Sequence, residues 1–272
     1  MGSEHVLGLD IIFREINKLM RKYRQLIIIC IVFSLNACSL EELKDTFTHA
    51  AYKMNRTSSA VRAQKMITRL ESNIVKYQKQ MEKGKDRSFM ISRTYLTLGE
   101  QHISLGDFRK AIEALLLAEK YGLDSAHMYY LLGATHANLG REYEQKNDEQ
   151  NAKLLYQNAE FYYKKAVEVK PTHFDSWYGL AILLFYTKST DASKLEAITI
   201  LQQLTRQNPR YYRGRLALGL FYFETKNFSA SLAEYENLLK DLSELRSNPL
   251  IAEYKEKCRE NITVVMREIS KN

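Results

Sequence analysis

Few residues in this 272-residue chain could do chemistry: six histidines (His5, His49, His102, His127, His136, His173) and three cysteines (Cys30, Cys38, Cys258). None stands at the close, regular spacing with which His and Cys ligands grip a metal. There is no glycine-rich phosphate loop, nucleophile elbow or Cys-x-x-Cys pair, and the carboxylates are numerous but scattered. The sequence thus offers no catalytic residue, metal ligand or bound cofactor, and predicts a chain that binds without catalysing. Cys38 is set apart by its context. It follows Leu35, Asn36 and Ala37 at the end of an apolar run, Leu26 to Leu35, itself preceded by Arg21, Lys22 and Arg24. A basic stretch, a short apolar stretch and a small residue before the cut form a secretory signal. The ten-residue run is too short to span a bilayer, which takes about 20 residues.

Leu35-Asn36-Ala37-Cys38 resembles the lipobox of bacterial lipoproteins, with Asn36 departing from the small or apolar residue usual at its place. The resemblance implies cleavage before Cys38, covalent acyl chains on that residue, and export to a lipid-anchored position in the cell envelope, facing the periplasm rather than the cell surface. Two or more acyl chains anchor stably where one is marginal. Ordinary signal-peptidase cleavage elsewhere is the alternative. A signal peptide begins with its basic region, so Met20 is a natural initiator; otherwise residues 1–19 form a long amphipathic leader. Cys30 leaves with the signal. Cys258 is then the one free thiol, unable to form an internal disulfide, and lies in a helical apolar stripe as a small hydrophobe.

The formal net charge is +8, and beyond residue 37 the chain carries 35 basic and 29 acidic residues. These charges read as mixed along the chain. No basic stripe or motif for nucleic acid stands out, so no nucleic-acid partner is expected. Only 3 Pro and 11 Gly occur, which predicts mostly helix. The 18 tyrosines suit inter-helix seams and binding surfaces.

A repeat organises the middle of the chain. Tyr95, Leu98, Gly99 and His102 recur as Tyr129, Leu132, Gly133 and His136, an offset of 34 residues. Leu105-Gly106 and Leu139-Gly140 follow, and the first copy continues with Asp107, Phe108, Ala111, Leu115 and Ala118. This period and these residue types resemble the tetratricopeptide-repeat family. The resemblance implies an all-α solenoid of helical hairpins, each with an A and a B helix. Small residues at Gly99, Ala111 and Ala118 let A and B approach, while aromatic and leucine positions fill the seam to the next repeat. The second copy closes with Ala159, Tyr163, Ala166 and Pro171 after 14 extra residues. Two added turns per helix, with a bend near Asn147-Asp148, absorb them in phase. The third copy, divergent, reads Trp177, Leu180, Ala181, Ala197, Leu201, Leu204 and Pro209, with four extra residues around Lys188 to Asp191. The fourth reads Leu218, Gly219, Tyr222, Asn227, Phe228, Ser231 and Tyr235, with Arg215 in place of its first aromatic. The resemblance covers residues 88–243.

The chain then divides into a signal peptide (1–37), a lipid-attached helical segment (38–84), about four repeats (85–245) and a C-terminal amphipathic helix (246–272). Ile67, Leu70, Ile74, Tyr77 and Met81 form a stripe that either caps the first repeat or dimerises; two heptads favour the cap. Asn248-Pro249 starts the last helix, whose face of Ile251, Tyr254, Cys258, Ile262, Val265 and Ile269 suits a solvating cap. Its competing role is to fold back into the groove.

In the family that this chain resembles, A-helix side chains line a binding groove. The matching positions are Arg93, Leu96, Glu100, His127, Tyr130, Asn138, Asp175, Tyr178, Ile182, Phe185, Arg213, Leu216, Leu220 and Phe223. Leu96 and Glu100 occupy places where chaperone-binding members carry a carboxylate clamp, so that activity is not implied. Tyr130, Tyr178, Phe185 and Phe223 are expected to form one apolar wall for a protein or peptide partner. Arg206, Arg210, Arg213 and Arg215 beside Tyr211 and Tyr212 either read an anion or form a solvated turn. The function expected is a membrane-anchored scaffold in envelope assembly. The alternative is a component of a TRAP-type solute transporter that pairs with a periplasmic solute-binding protein.

Overall fold

The computed structural model describes residues 40–188 and 190–271. The expected signal peptide, Met20 and Cys38 lie outside the described residues. The chain divides into two units, 1–62 and 63–272. The described part of the first is helical and begins α1 (Leu40–Glu82).

The second unit continues through α2 (Ser88–Leu105), α3 (Phe108–Lys120), α4 (Ala126–Gln145), α5 (Glu149–Val169), α6 (Phe174–Thr187), α7 (Asp191–Gln207), α8 (Tyr212–Glu224), α9 (Phe228–Ser243) and α10 (Pro249–Ile269). No strand occurs among the described residues. Local chemistry sets the boundaries. The side chains of Asp148, Thr190, Asn227 and Asn248 accept hydrogen bonds from the N–H three residues on, capping α5, α7, α9 and α10. Pro249 sits in the first turn of α10, where its missing N–H costs nothing. The A-to-B turns of repeats one, two and four each pass through a left-handed residue: Gly106, Asn147 and Lys226. The bend expected at Asn147-Asp148 is there. It joins helices of 20 and 21 residues, the longest hairpin of the repeats.

Each A helix (α2, α4, α6, α8) packs on its own B helix and touches the next A helix, and α10 touches both α8 and α9. The A helices therefore form the inner layer of this unit, and α10 takes the place of a fifth A helix. Ile251 and Cys258 bury themselves against Leu238 and Leu242 of α9, so α10 is a solvating cap and does not fill a groove. At the other end Ile67, Leu70 and Ile74 of α1 pack with Leu98 and Ala114, capping the first repeat.

Glycine enforces the close approach inside hairpins. A Cβ on Gly133 would lie 2.7 Å from the ring of Tyr163, and one on Gly179 would lie 2.6 Å from the same ring. Tyr163 of α5 is thus seated between the glycines of two successive A helices. Arg215, where an aromatic was expected, is buried and answered by two carboxylates of α9. Its Nε donates to Glu234 at 2.8 Å and its Nη1 to Asp241. The alkyl stem fills the aromatic's volume while the charge finds partners, the condition for burying a cation.

Candidate partner-binding site

Equivalent positions on the A helices come together at their N-terminal turns. His127 and Tyr130 lie on α4, Asp175 and Tyr178 on α6, and Arg213 on α8. Because the A helices touch in sequence, these side chains form a ladder. Glu100 of α2 meets the His127 ring at 3.1 Å. The rings of His127 and Tyr130 lie 6.5 and 5.4 Å from that of His173, whose Nδ1 is 2.8 Å from the Ser176 hydroxyl. The Asp175 carboxylate accepts a 2.5 Å hydrogen bond from the Tyr211 hydroxyl and lies 3.9 Å from the Arg213 guanidinium. That guanidinium stacks 4.7 Å over the Tyr178 ring, a cation–π contact. Tyr211 meets Tyr178 edge-on at 6.0 Å, and Tyr212 meets Tyr254 of α10 at 5.8 Å.

Burial and the Asp175 carboxylate act on the phenols and the histidine of this surface. Burial, then the negative charge of Asp175, raises the Tyr130 hydroxyl above the ordinary phenol range. Burial, then the hydrogen bond to Asp175, does the same for Tyr211. Burial lowers the His173 pKa, with Asp175 pulling the other way. The ladder presents phenol hydroxyls, a guanidinium and carboxyl groups, a surface that hydrogen-bonds a polypeptide and stacks on its side chains.

The expected positions separate into several groups. Glu100, His127, Tyr130, Asp175, Tyr178 and Arg213 are brought together. Arg93 is exposed on α2 and Asn138 half-buried farther along α4. Leu96 is a correction: it is core, packed with Leu115, Ala118 and Leu132. Phe185 is another, because its ring stacks face to face on Phe221 of α8 at 3.8 Å and closes the seam between repeats. Its neighbour Tyr186 is the exposed one. Ile182 and Leu216 are half-buried against core clusters, and Leu220 is exposed. Phe223 sits at the far end of α8 against Phe228, a turn contact. The single apolar wall is therefore replaced by a polar and aromatic ladder. The four-arginine edge dissolves too: Arg215 is buried, Arg213 belongs to the ladder, and Arg206 and Arg210 are exposed. Sequence reasoning missed His173 as a ladder residue and placed Tyr211 on that arginine edge. Both precede an A helix, and their only signal was an aromatic ring at the A-helix entry.

No three metal-ligating side chains converge among the described residues.

The chain matches the tetratricopeptide-repeat family over residues 96–144 and 195–245. Its structure is similar to the crystal structure of TTC0263, a thermophilic TPR protein of Thermus thermophilus, with a TM-score of 0.52 and 16% identity over 77% of this chain and 98% of that one. It is also similar to MamA, with a TM-score of 0.43 and 18% identity over 75% of this chain and 92% of that one. A third is YrrB, described as a TPR protein with an unusual peptide-binding site, with a TM-score of 0.47 and 16% identity over 77% and 97%. No curated protein matches the sequence.

Proposed function

We propose that this chain, a tetratricopeptide-repeat protein and hence a protein-interaction scaffold, captures a polypeptide partner on the ladder from Glu100 to Arg213. The carrying observation is that Asp175, Tyr178, Tyr211 and Arg213, from neighbouring repeats, hold one another in place. An interlocked charged and aromatic cluster is pre-organised for binding, which lowers the entropy lost when a partner docks. Its mix of donors and acceptors suits an extended peptide with polar side chains better than an apolar helix. We further propose that acylation of Cys38 tethers the chain to the cell envelope, where it scaffolds assembly and catalyses nothing.

The test is capture from membrane extracts by the wild type and by a Tyr178→Ser, Arg213→Ser variant, with helix content checked by circular dichroism. Aromatic and arginine anchors each contribute on the order of 2 kcal/mol to interfaces, so the variant should lose its specific partner while staying folded. Equal capture by both proteins would place binding elsewhere. Fatty-acid labelling of wild type but not of Cys38→Ala tests the tether, and undiminished labelling of the variant would remove it.

A further inference from the structure

We infer that the outer face of α1, together with the loop that follows it, is a docking surface for an anionic lipid bilayer. The excess charge of this chain is not spread along it. Residues 94–271 carry 23 basic and 23 acidic side chains, while residues 63–93 carry 8 basic and 3 acidic ones. The mixed reading of the charge is correct for the repeats and wrong for this segment.

The helix then sorts these charges. Ile67, Leu70 and Ile74 point into the first repeat. At 100° per residue, Lys65, Arg69, Lys76, Lys79 and Lys83 fall on the opposite side of α1, and all are exposed. Glu71 and Glu82 lie off this stripe, toward one flank. None of the five cations forms an ion pair among the described residues. The loop adds Lys85, and Arg87 reaches back to Gln80 of α1 at 2.8 Å, beside the stripe. The next residues of α2 are Phe89 and Met90, 71% and 42% exposed. Phe89 is the most exposed large apolar side chain among residues 57–271.

A solvated helix face explains lysines. It does not explain why the excess charge gathers on one side of this helix with a bare phenylalanine a few residues beyond it. Cations at headgroup level with an aromatic ring at the acyl boundary are the composition of a surface that lies on anionic lipid. A duplex nucleic acid would use the cations and leave Phe89 and Met90 without a role; a single strand stacks bases on aromatic rings and is an outcome of the test below. No described helix is long and apolar enough to cross a membrane, so contact at this face would be peripheral. The inference goes beyond the scaffold reading and does not require acylation of Cys38.

The experiment uses the full chain with Phe89→Trp, reconstituted into vesicles of equimolar phosphatidylcholine and phosphatidylglycerol carrying brominated acyl chains. The wild type in the same vesicles carries whatever the N-terminal region contributes, so the added quenching reports docking and not anchoring. Trp177, present in the wild type, sets the baseline. Quenching above that baseline is expected, with loss at high salt and in phosphatidylcholine alone. Each lysine near an anionic surface strengthens docking about fivefold, so Lys76→Gln, Lys79→Gln, Lys83→Gln together should weaken it about a hundredfold. No quenching, quenching indifferent to lipid charge, or a triple variant that docks like its parent would overturn the inference. So would binding of a single-stranded oligonucleotide that the triple variant loses while vesicle quenching is absent.

Discussion

His136 makes the stability of the repeats depend on pH in a calculable way. It lies on α4, 7% exposed, stacked on Tyr162 of α5 at 5.5 Å with the rings 11° from parallel. Its Nδ1 is buried without a hydrogen-bond partner. Burial lowers its pKa to about 4 from the ordinary 6.5. A base with a depressed pKa binds fewer protons in the folded chain than in the unfolded one. Its neutral form therefore incurs no protonation cost above the unfolded value, and stability is lost as pH falls from there toward about 4. Between pH 7 and pH 5 the loss from this one group is on the order of 1–2 kcal/mol, because each tenfold difference in proton affinity between the two states is worth about 1.4 kcal/mol once the group titrates. The assay is urea unfolding at both pH values for the wild type and for His136→Phe, which keeps a flat ring against Tyr162 and cannot take up a proton. The wild type should lose about that much more stability than the variant on acidification. The subtraction removes other titrating groups, including His173. Identical pH dependence in the two proteins would refute the reasoning.

Two further outcomes follow from the packing. Gly133→Ala should destabilise by about 1–3 kcal/mol in thermal or urea unfolding, because Tyr163 is held from its other side by Gly179 and cannot retreat; the gain in helix propensity, about 1 kcal/mol, is outweighed, and a net stabilisation would contradict the seat described for Tyr163. Phe185→Ala should cost about 3–5 kcal/mol as a core deletion, while Tyr186→Ala, at an exposed position, should cost about 1 kcal/mol or less; the reverse order would return Phe185 to the groove.

Much of the architecture was legible in the residues. The 34-residue recurrence and the scarcity of Pro and Gly determined the helical hairpins and the bend at Asn147-Asp148, while the apolar stripes at both ends marked helices whose role as caps the packing decided. These features depend on local propensity and on a period, and a linear chain displays both. Which side chains stay open between repeats was not legible. Phe185 and Tyr186 are adjacent and both aromatic, yet only the rotation of α6 against α8 put the first on Phe221 and the second in solvent. The site positions likewise assumed one register for every A helix. The ladder instead recruits His173 and Tyr211 from the residues just before α6 and α8, because contacts between A helices bring those entries beside the preceding repeat. The charge excess of residues 63–93 could have been counted in the sequence. Its concentration on one side of α1 required knowing which side Ile67, Leu70 and Ile74 bury, since burial of one face decides what the opposite face is free to meet.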